Sequence, residues 1–254
     1  MNLKTAFLLL WIAFLLSSCA GSGQYQTTRS HYTPNLAKEK LNAEVAWVAG
    51  VGASANAALK VSKHWGAVAA FQANYTSYTA TEFLSSPKYY TKRGYSFDLG
   101  ANFNTPIGEK GSFNVSSGFG YNISTQTSKF TSSYQNNTYL TDTNGAYWYV
   151  QPYLILGQNR KTKHLIACRL QNYGFNLTSY EYSGYYNGQK HISSLSLGYG
   201  IDYNVMPNLN FTTQLGLEFS LNNITVENGN TRSTNTANST WAKIGVQFVL
   251  PSKK

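Results

Sequence analysis

Residues Leu209 to Leu221 read LNFTTQLGLEFSL, with Leu, Phe and Thr at the odd positions and Asn, Thr, Gln, Gly, Glu and Ser at the even ones. Side chains alternate faces along a β-strand, so a period of two makes one face apolar and the other small and polar. A helix of this sequence would scatter both classes around its axis. The run is also about thirteen residues long, against roughly five or six for a strand in a soluble domain and about nine to eleven for one that crosses a bilayer at a tilt. The first expectation is therefore an all-β fold built of strands long enough to span a membrane.

The same alternation recurs through the chain. Leu41 to Val61 reads as a hairpin turning near Gly52, and further strands fall at Trp65–Tyr78, Tyr95–Asn104 and Phe113–Ile123. The second half gives strands at Gly145–Gly157, His164–Leu177, His191–Val205, Leu209–Leu221 and Ser239–Leu250. Connections alternate in length: Gln158–Lys163 and Met206–Asn208 are short, whereas Thr125–Asn144, Thr178–Lys190 and Asn222–Asn238 are long. The count is ten, which closes an antiparallel, up-and-down barrel with both chain ends on its short-turn side. Short turns at one end and long loops at the other are the pattern of outer-membrane barrels.

Composition separates a membrane barrel from a soluble one with the same alternation. Charged residues make up 12% of the chain and aromatics 15%, whereas a soluble domain carries about 25% charged residues. The apolar face is the one that meets lipid, and the polar face, mostly Asn, Ser, Gly, Thr and Gln, lines a narrow lumen. Its ions are Glu44, Lys60, Asp98, Arg169, Asp202, Glu218 and Lys243. A turn centred near Gly52 sets Glu44 opposite Lys60; counting up from the short turns sets Arg169 level with Asp202, and Glu218 level with Lys243. Three internal ion pairs are expected, with Asp98 hydrogen-bonded or sharing a cation. Paired lumen charges plug a barrel of this width, since about eight strands leave room only for side chains. Trp65, Tyr78, Tyr95, Tyr121, Tyr147, Trp148, Tyr203, Trp241 and Phe248 form the expected interface girdles.

The first eighteen residues carry Lys4 and the apolar run Ala6–Leu16, an export signal. Leu16-Ser17-Ser18-Cys19 resembles the lipobox of bacterial lipoproteins, which implies cleavage before Cys19 and its modification by diacylglycerol and an N-acyl chain. Residues 19–40 then read as an acylated N-terminus and periplasmic tether, and 41–254 as the barrel. Cys168 is left without a disulfide partner in the mature chain. The barrel region resembles the small outer-membrane β-barrel proteins of Gram-negative bacteria, OmpA/OmpX-like and porin-like. That resemblance implies an outer-membrane location, an N-terminus on the periplasmic side and long loops outside. The chain ends VLPSKK after Phe248, a departure from the C-terminal aromatic common in such barrels.

The chain shows no phosphate loop, zinc spacing or nucleotide fingerprint. Its formal net charge of +10 is spread over turns and forms no stripe, so nucleic acid is not expected as a partner. His31, His64 and His164 fall in the tether or in short turns without a metal-ligand grouping, and no metal or non-covalent cofactor is expected. The expected role is a structural or surface-interaction protein that is not an enzyme, monomeric, with outer-membrane lipids as surroundings; the Tyr-, Ser-, Asn- and Thr-rich long loops suit either an extracellular ligand or a surface that simply stays soluble. Three other readings stay open: a narrow porin, a soluble periplasmic lipoprotein barrel with a ligand cavity, and a rim hydrolase using His191, Ser193, Ser194 and Glu181.

Overall fold

The computed structural model describes residues 31–48, 52–80, 88–131, 136–157, 161–181, 184–222, 224–228, 231–235 and 239–251. The strands are β1 (Glu39–Val48), β2 (Gly52–Lys60), β3 (Trp65–Ala80), β4 (Lys88–Ile107), β5 (Gly111–Thr131), β6 (Asn136–Leu156), β7 (Thr162–Glu181), β8 (Gly184–Met206), β9 (Leu209–Ser220), β10 (Ile224–Asn228), β11 (Thr231–Asn235) and β12 (Ser239–Pro251). Ten of them close a barrel in the order β1-β12-β9-β8-β7-β6-β5-β4-β3-β2, and β10 and β11 pair separately as a hairpin. Every neighbouring pair is antiparallel, and β1 closes the barrel on β12 with Glu39 beside Pro251. Closure leaves no unpaired sheet edge around the ten staves.

Outside and inside are reversed relative to a soluble protein. Leu99 is 61% exposed and Phe119 75%, and Leu197, Leu217, Phe219 and Val246 are exposed with them. Asn42, Asn102, Ser112, Asn114, Thr212, Gln214 and Gln247 are buried inside. The polar parity of β4, β5 and β9 thus faces the lumen, as the alternation of Leu209–Leu221 requires, whereas on β6 and β7 the buried parity carries Tyr147, Tyr149, Tyr153, Tyr173, Phe175 and Leu177.

Two expectations about the strands are corrected. Thr125–Asn144 and Thr178–Lys190 are not loops: β5 runs to Thr131, β6 starts at Asn136, β7 runs to Glu181 and β8 starts at Gly184. These stretches are rich in Thr and Tyr, which favour strands, but carry no apolar face, so the period that marks the rest of each stave is absent. The ladder nevertheless continues, for example Thr125 opposite Asp142 and Thr178 opposite Asn187. The outcome is a slanted rim. Staves β4–β8 are 20–23 residues long whereas β1, β2, β9 and β12 are 9–13, so one wall runs roughly 33 Å farther along its strands.

The second correction concerns residues 31–38, read as part of the tether. His31, Tyr32, Thr33, Asn35 and Leu36 are buried, and the segment lies in the lumen. A turn in which Lys38 and Glu39 donate to the carbonyl of Asn35 then starts β1.

Candidate functional site

The lumen is built from two kinds of stave. Lumen positions on β4, β5, β8 and β9 include Gly100, Gly118, Gly120, Gly198, Gly200 and Gly216, whereas β6 and β7 send in Tyr147, Tyr149, Tyr153, Tyr173 and Phe175. The small residues make room for the large. A Cβ on Gly216 would stand 2.2 Å from the Trp241 ring, and one on Gly120 would stand 2.3 Å from Tyr147 Cζ. Trp241 and Tyr147, expected in the girdles, are therefore lumen residues, 1% and 2% exposed. In β6 both parities are apolar, so alternation could not choose a face; a Tyr hydroxyl or an indole N–H that finds a polar partner decides it. Trp241 Nε1 donates to Ser196 Oγ at 3.3 Å and Tyr147 donates to Asp98. The remaining girdle residues with described side chains, Trp65, Tyr95, Tyr121, Trp148, Tyr203 and Phe248, face outward. The side chain of Tyr78 lies outside the described residues.

The expected ionic residues lie at lumen positions, but their partners differ from the expected ones. The β1–β2 hairpin is centred two residues earlier than Gly52, which shifts the pairing by four: Glu44 stands opposite Asn56. Asn56 donates to Glu44 at 2.8 Å, and Lys243 Nζ completes an ion pair with Glu44 at 2.8 Å. Lys60 instead donates to the carbonyl of Ala37 at 3.2 Å. Arg169 lies opposite Ser196 on β8, and Asp202 opposite Lys163. The Arg169 guanidinium reaches across the lumen to Asp98, 3.0 Å away on β4, and stacks over the Tyr149 ring at 4.0 Å. Glu218 is opposite Ser239, and Lys243 opposite Gln214. The Glu218 carboxylate accepts from Ser194 at 3.0 Å and Gln171 at 3.3 Å.

A third ion pair, Lys163 with Glu39 at 3.2 Å, is not visible in the alternation. Glu39 has the outward parity of β1, but the register slips between Glu39 and Leu41, and this irregularity turns the carboxylate inward. Lys163 sits one residue before the strand that begins, by pattern, at His164.

Residues 31–38 thread among these groups and are held largely through their backbone. The carbonyl of His31 accepts from Lys243 at 2.7 Å, that of Tyr32 from Gln151 at 2.7 Å, and that of Pro34 from the Tyr153 hydroxyl at 2.8 Å. Thr33 Oγ1 accepts from Gln214 at 3.1 Å, and the Tyr32 hydroxyl donates to the carbonyl of Asn42 at 2.7 Å. His31 meets Trp241 edge to face, with ring centroids 4.9 Å apart. Charge-neutral carbonyls thus satisfy lumen donors that water would otherwise have to reach.

The described rim residues are divided between the two faces of the sheet. His191 and Ser193 share the outer face of β8, whereas Ser194 faces the lumen and donates to Glu218. The Ser193 hydroxyl is bonded by Asn172 at 2.8 Å. Glu181 stands opposite Gly184 and His191 opposite Gly174, seven positions apart and so roughly 23 Å along the strand. Its side chain, like Cys19, lies outside the described residues. Among the described residues no group of three or more His, Cys, Asp or Glu is placed to hold a metal.

No family model matches the chain, and no curated protein matches it in sequence. Solved structures do. The outer-membrane protease OmpT from Escherichia coli is similar with a TM-score of 0.54 at 10% identity, over 89% of this chain and 100% of that one. The translocator domain of the autotransporter NalP from Neisseria meningitidis gives 0.47 at 11% identity, over 96% and 95%. The attachment invasion locus protein Ail of Yersinia pestis gives 0.31 at 12%, over 84% and 97%. The fold is that of an outer-membrane β-barrel.

Proposed function

We propose that the chain is a membrane-spanning outer-membrane barrel that carries its own plug and serves as a structural or surface-interaction protein. The observation that carries this is segment 31–38, buried from His31 to Leu36 and bonded to β1, β2, β6, β9 and β12. An apolar belt of this extent facing water would be an aggregation surface, and lipid accounts for it. The acyl groups on Cys19 supply a second attachment, and several chains at about 0.8 kcal/mol per buried methylene make it stable. The raised wall of β4–β8, rich in Tyr, Thr, Ser and Asn, presents an outside surface suited to a ligand, since rigid aromatic area and adaptable hydrogen bonding serve binding loops in the same way.

A small-solute channel is the second reading. It is favoured by the rows of Asn, Ser and Gln around the plug, which would hydrate a passage once residues 31–38 moved. Conductance across a planar bilayer separates the two. The full chain is expected to be silent, and a variant lacking residues 20–38 to give discrete openings. Steady conductance by the full chain would overturn the plugged reading and establish the channel.

A further inference from the structure

The outer wall carries a depression beside a cationic edge. Between β6 and β7 the ladder pairs Val150 with Leu170 and resumes only at Tyr153 with Ala167. Pro152 falls in this gap and has no N–H to donate. Beside it lies an apolar depression of about 640 Å³, lined among others by Pro152, Ile166, Cys168, Leu197, Tyr199 and Leu217, with no charged side chain in its lining. Tyr199 leads out of it toward the short-turn end, where its hydroxyl meets His164 Nδ1 at 2.8 Å. Nearer that end still, the Lys161 ammonium lies over the Tyr203 ring at 5.0 Å. Lys161, His164, Tyr199 and Tyr203 are all exposed on the outer face.

We infer that this wall seats one anionic glycerophospholipid, its phosphate at Lys161 and His164 and one acyl chain in the depression. The seat rests on the wall facing a bilayer, as proposed above, and goes beyond it in fixing one lipid there. Charge favours this occupant. Asp202 and Glu218 are buried in the lumen, Asp142 lies in the far half of β6 and Glu181 ends β7 at its far end. Among the described residues of β6–β9, no carboxylate therefore stands on the outer face near Lys161, and an unpaired ammonium at a membrane surface attracts anionic lipid. A neutral His164 ring that accepts from Tyr199 at Nδ1 carries its proton on Nε2, a donor for a phosphate oxygen. Depth fits as well. Cys168 is four positions up β7 from His164, about 13 Å along the strand and roughly 10 Å of depth at a tilt of about 40°. Half of a hydrocarbon core of about 30 Å is about 15 Å, so a headgroup at the edge brings its chain into the depression within one leaflet. The volume falls within the roughly 300–1,000 Å³ of small-ligand sites.

The test is native mass spectrometry of the full chain released from detergent micelles, with phosphatidylglycerol or phosphatidylcholine of identical acyl chains as the probe. One phosphatidylglycerol per barrel should be retained, about fivefold more tightly than phosphatidylcholine. Lys161→Gln with His164→Ala should bring the two lipids level. Cys168→Trp, which fills the depression and keeps the edge, should weaken both, and Leu197→Trp serves the same purpose if that variant lacks the folded band on unheated SDS gels. Equal retention of the two lipids by the unaltered chain, or retention untouched by these substitutions in folded protein, would overturn the seat. If neither lipid is retained, Cys168 in vesicles separates the two readings. Alkylation by an apolar maleimide alone leaves the wall in the bilayer and overturns only the seat; reaction with a charged methanethiosulfonate as well overturns the membrane-spanning reading with it.

Discussion

Lys243 tests whether the lumen is held by paired charges. Its ammonium lies 2.8 Å from Glu44 and 2.7 Å from the His31 carbonyl, with the Lys243 and Glu44 side chains 0% and 1% exposed. Lys243→Met removes the cation and leaves the Glu44 carboxylate buried with the Asn56 amide. Breaking a buried pair from one side costs about 3–5 kcal/mol, because the remaining charge is uncompensated. In a domain of this size a kcal/mol moves the melting midpoint by about 2–4 °C, so the midpoint should fall by roughly 6–20 °C. Lys243→Met with Glu44→Gln leaves no buried charge, and the neutral amide still meets Asn56. The residual cost is the His31 carbonyl, which loses its donor at about 1–3 kcal/mol. The Lys243→Met loss should therefore exceed that of the double variant by about 2 kcal/mol. The fast-migrating folded band on SDS gels, followed against temperature for the four proteins, reads these midpoints. Additive losses would refute the coupling of Lys243 to Glu44.

Gly216→Ala places a methyl within 2.2 Å of the Trp241 ring and should destabilise by about 1–3 kcal/mol as overpacking; Trp241→Leu in the same chain should restore the midpoint, and failure to restore it would place the strain elsewhere. Cys168 lines an apolar depression of about 640 Å³ on the outer wall with Pro152, Ile166, Leu197 and Leu217. In vesicles it should react with an apolar pyrene maleimide and resist a charged methanethiosulfonate, and equal reaction with both would place it in water. Cys168→Arg should cost about 2–4 kcal/mol, the depth-dependent cost of a cation on a lipid face, read from the same gels.

Alternation found the staves because each has one face that must avoid water. Leu209–Leu221 became β9, Leu209–Ser220, and Ser239–Leu250 became β12, Ser239–Pro251. The signal stops where both faces meet the same solvent, so the upper halves of β5, β6, β7 and β8 read as loops. Partners inside the lumen fail for a different reason. Adjacent-strand register can place Asp202 opposite Lys163, provided the turn is centred correctly, but the Asp98–Arg169 pair joins β4 to β7, with β5 and β6 between them. Such a contact exists only once the barrel has closed, and no count along neighbouring staves reveals it.

The plug was illegible on yet another ground. The carbonyls of His31, Tyr32, Pro34 and Ala37 accept from Lys243, Gln151, Tyr153 and Lys60, on three different staves. Any residue supplies a backbone carbonyl, so a segment recognised chiefly in this way needs no period and no motif, and its sequence reads as a linker. The information lies in the wall. Lys60, Gln151, Tyr153 and Lys243 aim donors at this chain, and a buried donor left unbonded costs about 1–3 kcal/mol. The same chemistry explains how cations can line the lumen without a carboxylate for each: Lys60 points at a carbonyl dipole, and Lys243 divides its bonds between Glu44 and one. Backbone carbonyls serve the lumen cations beside the ion pairs, which is why the paired-charge expectation placed Glu44, Asp98, Arg169 and Lys243 inside but gave them the wrong partners and missed the segment that lies between them.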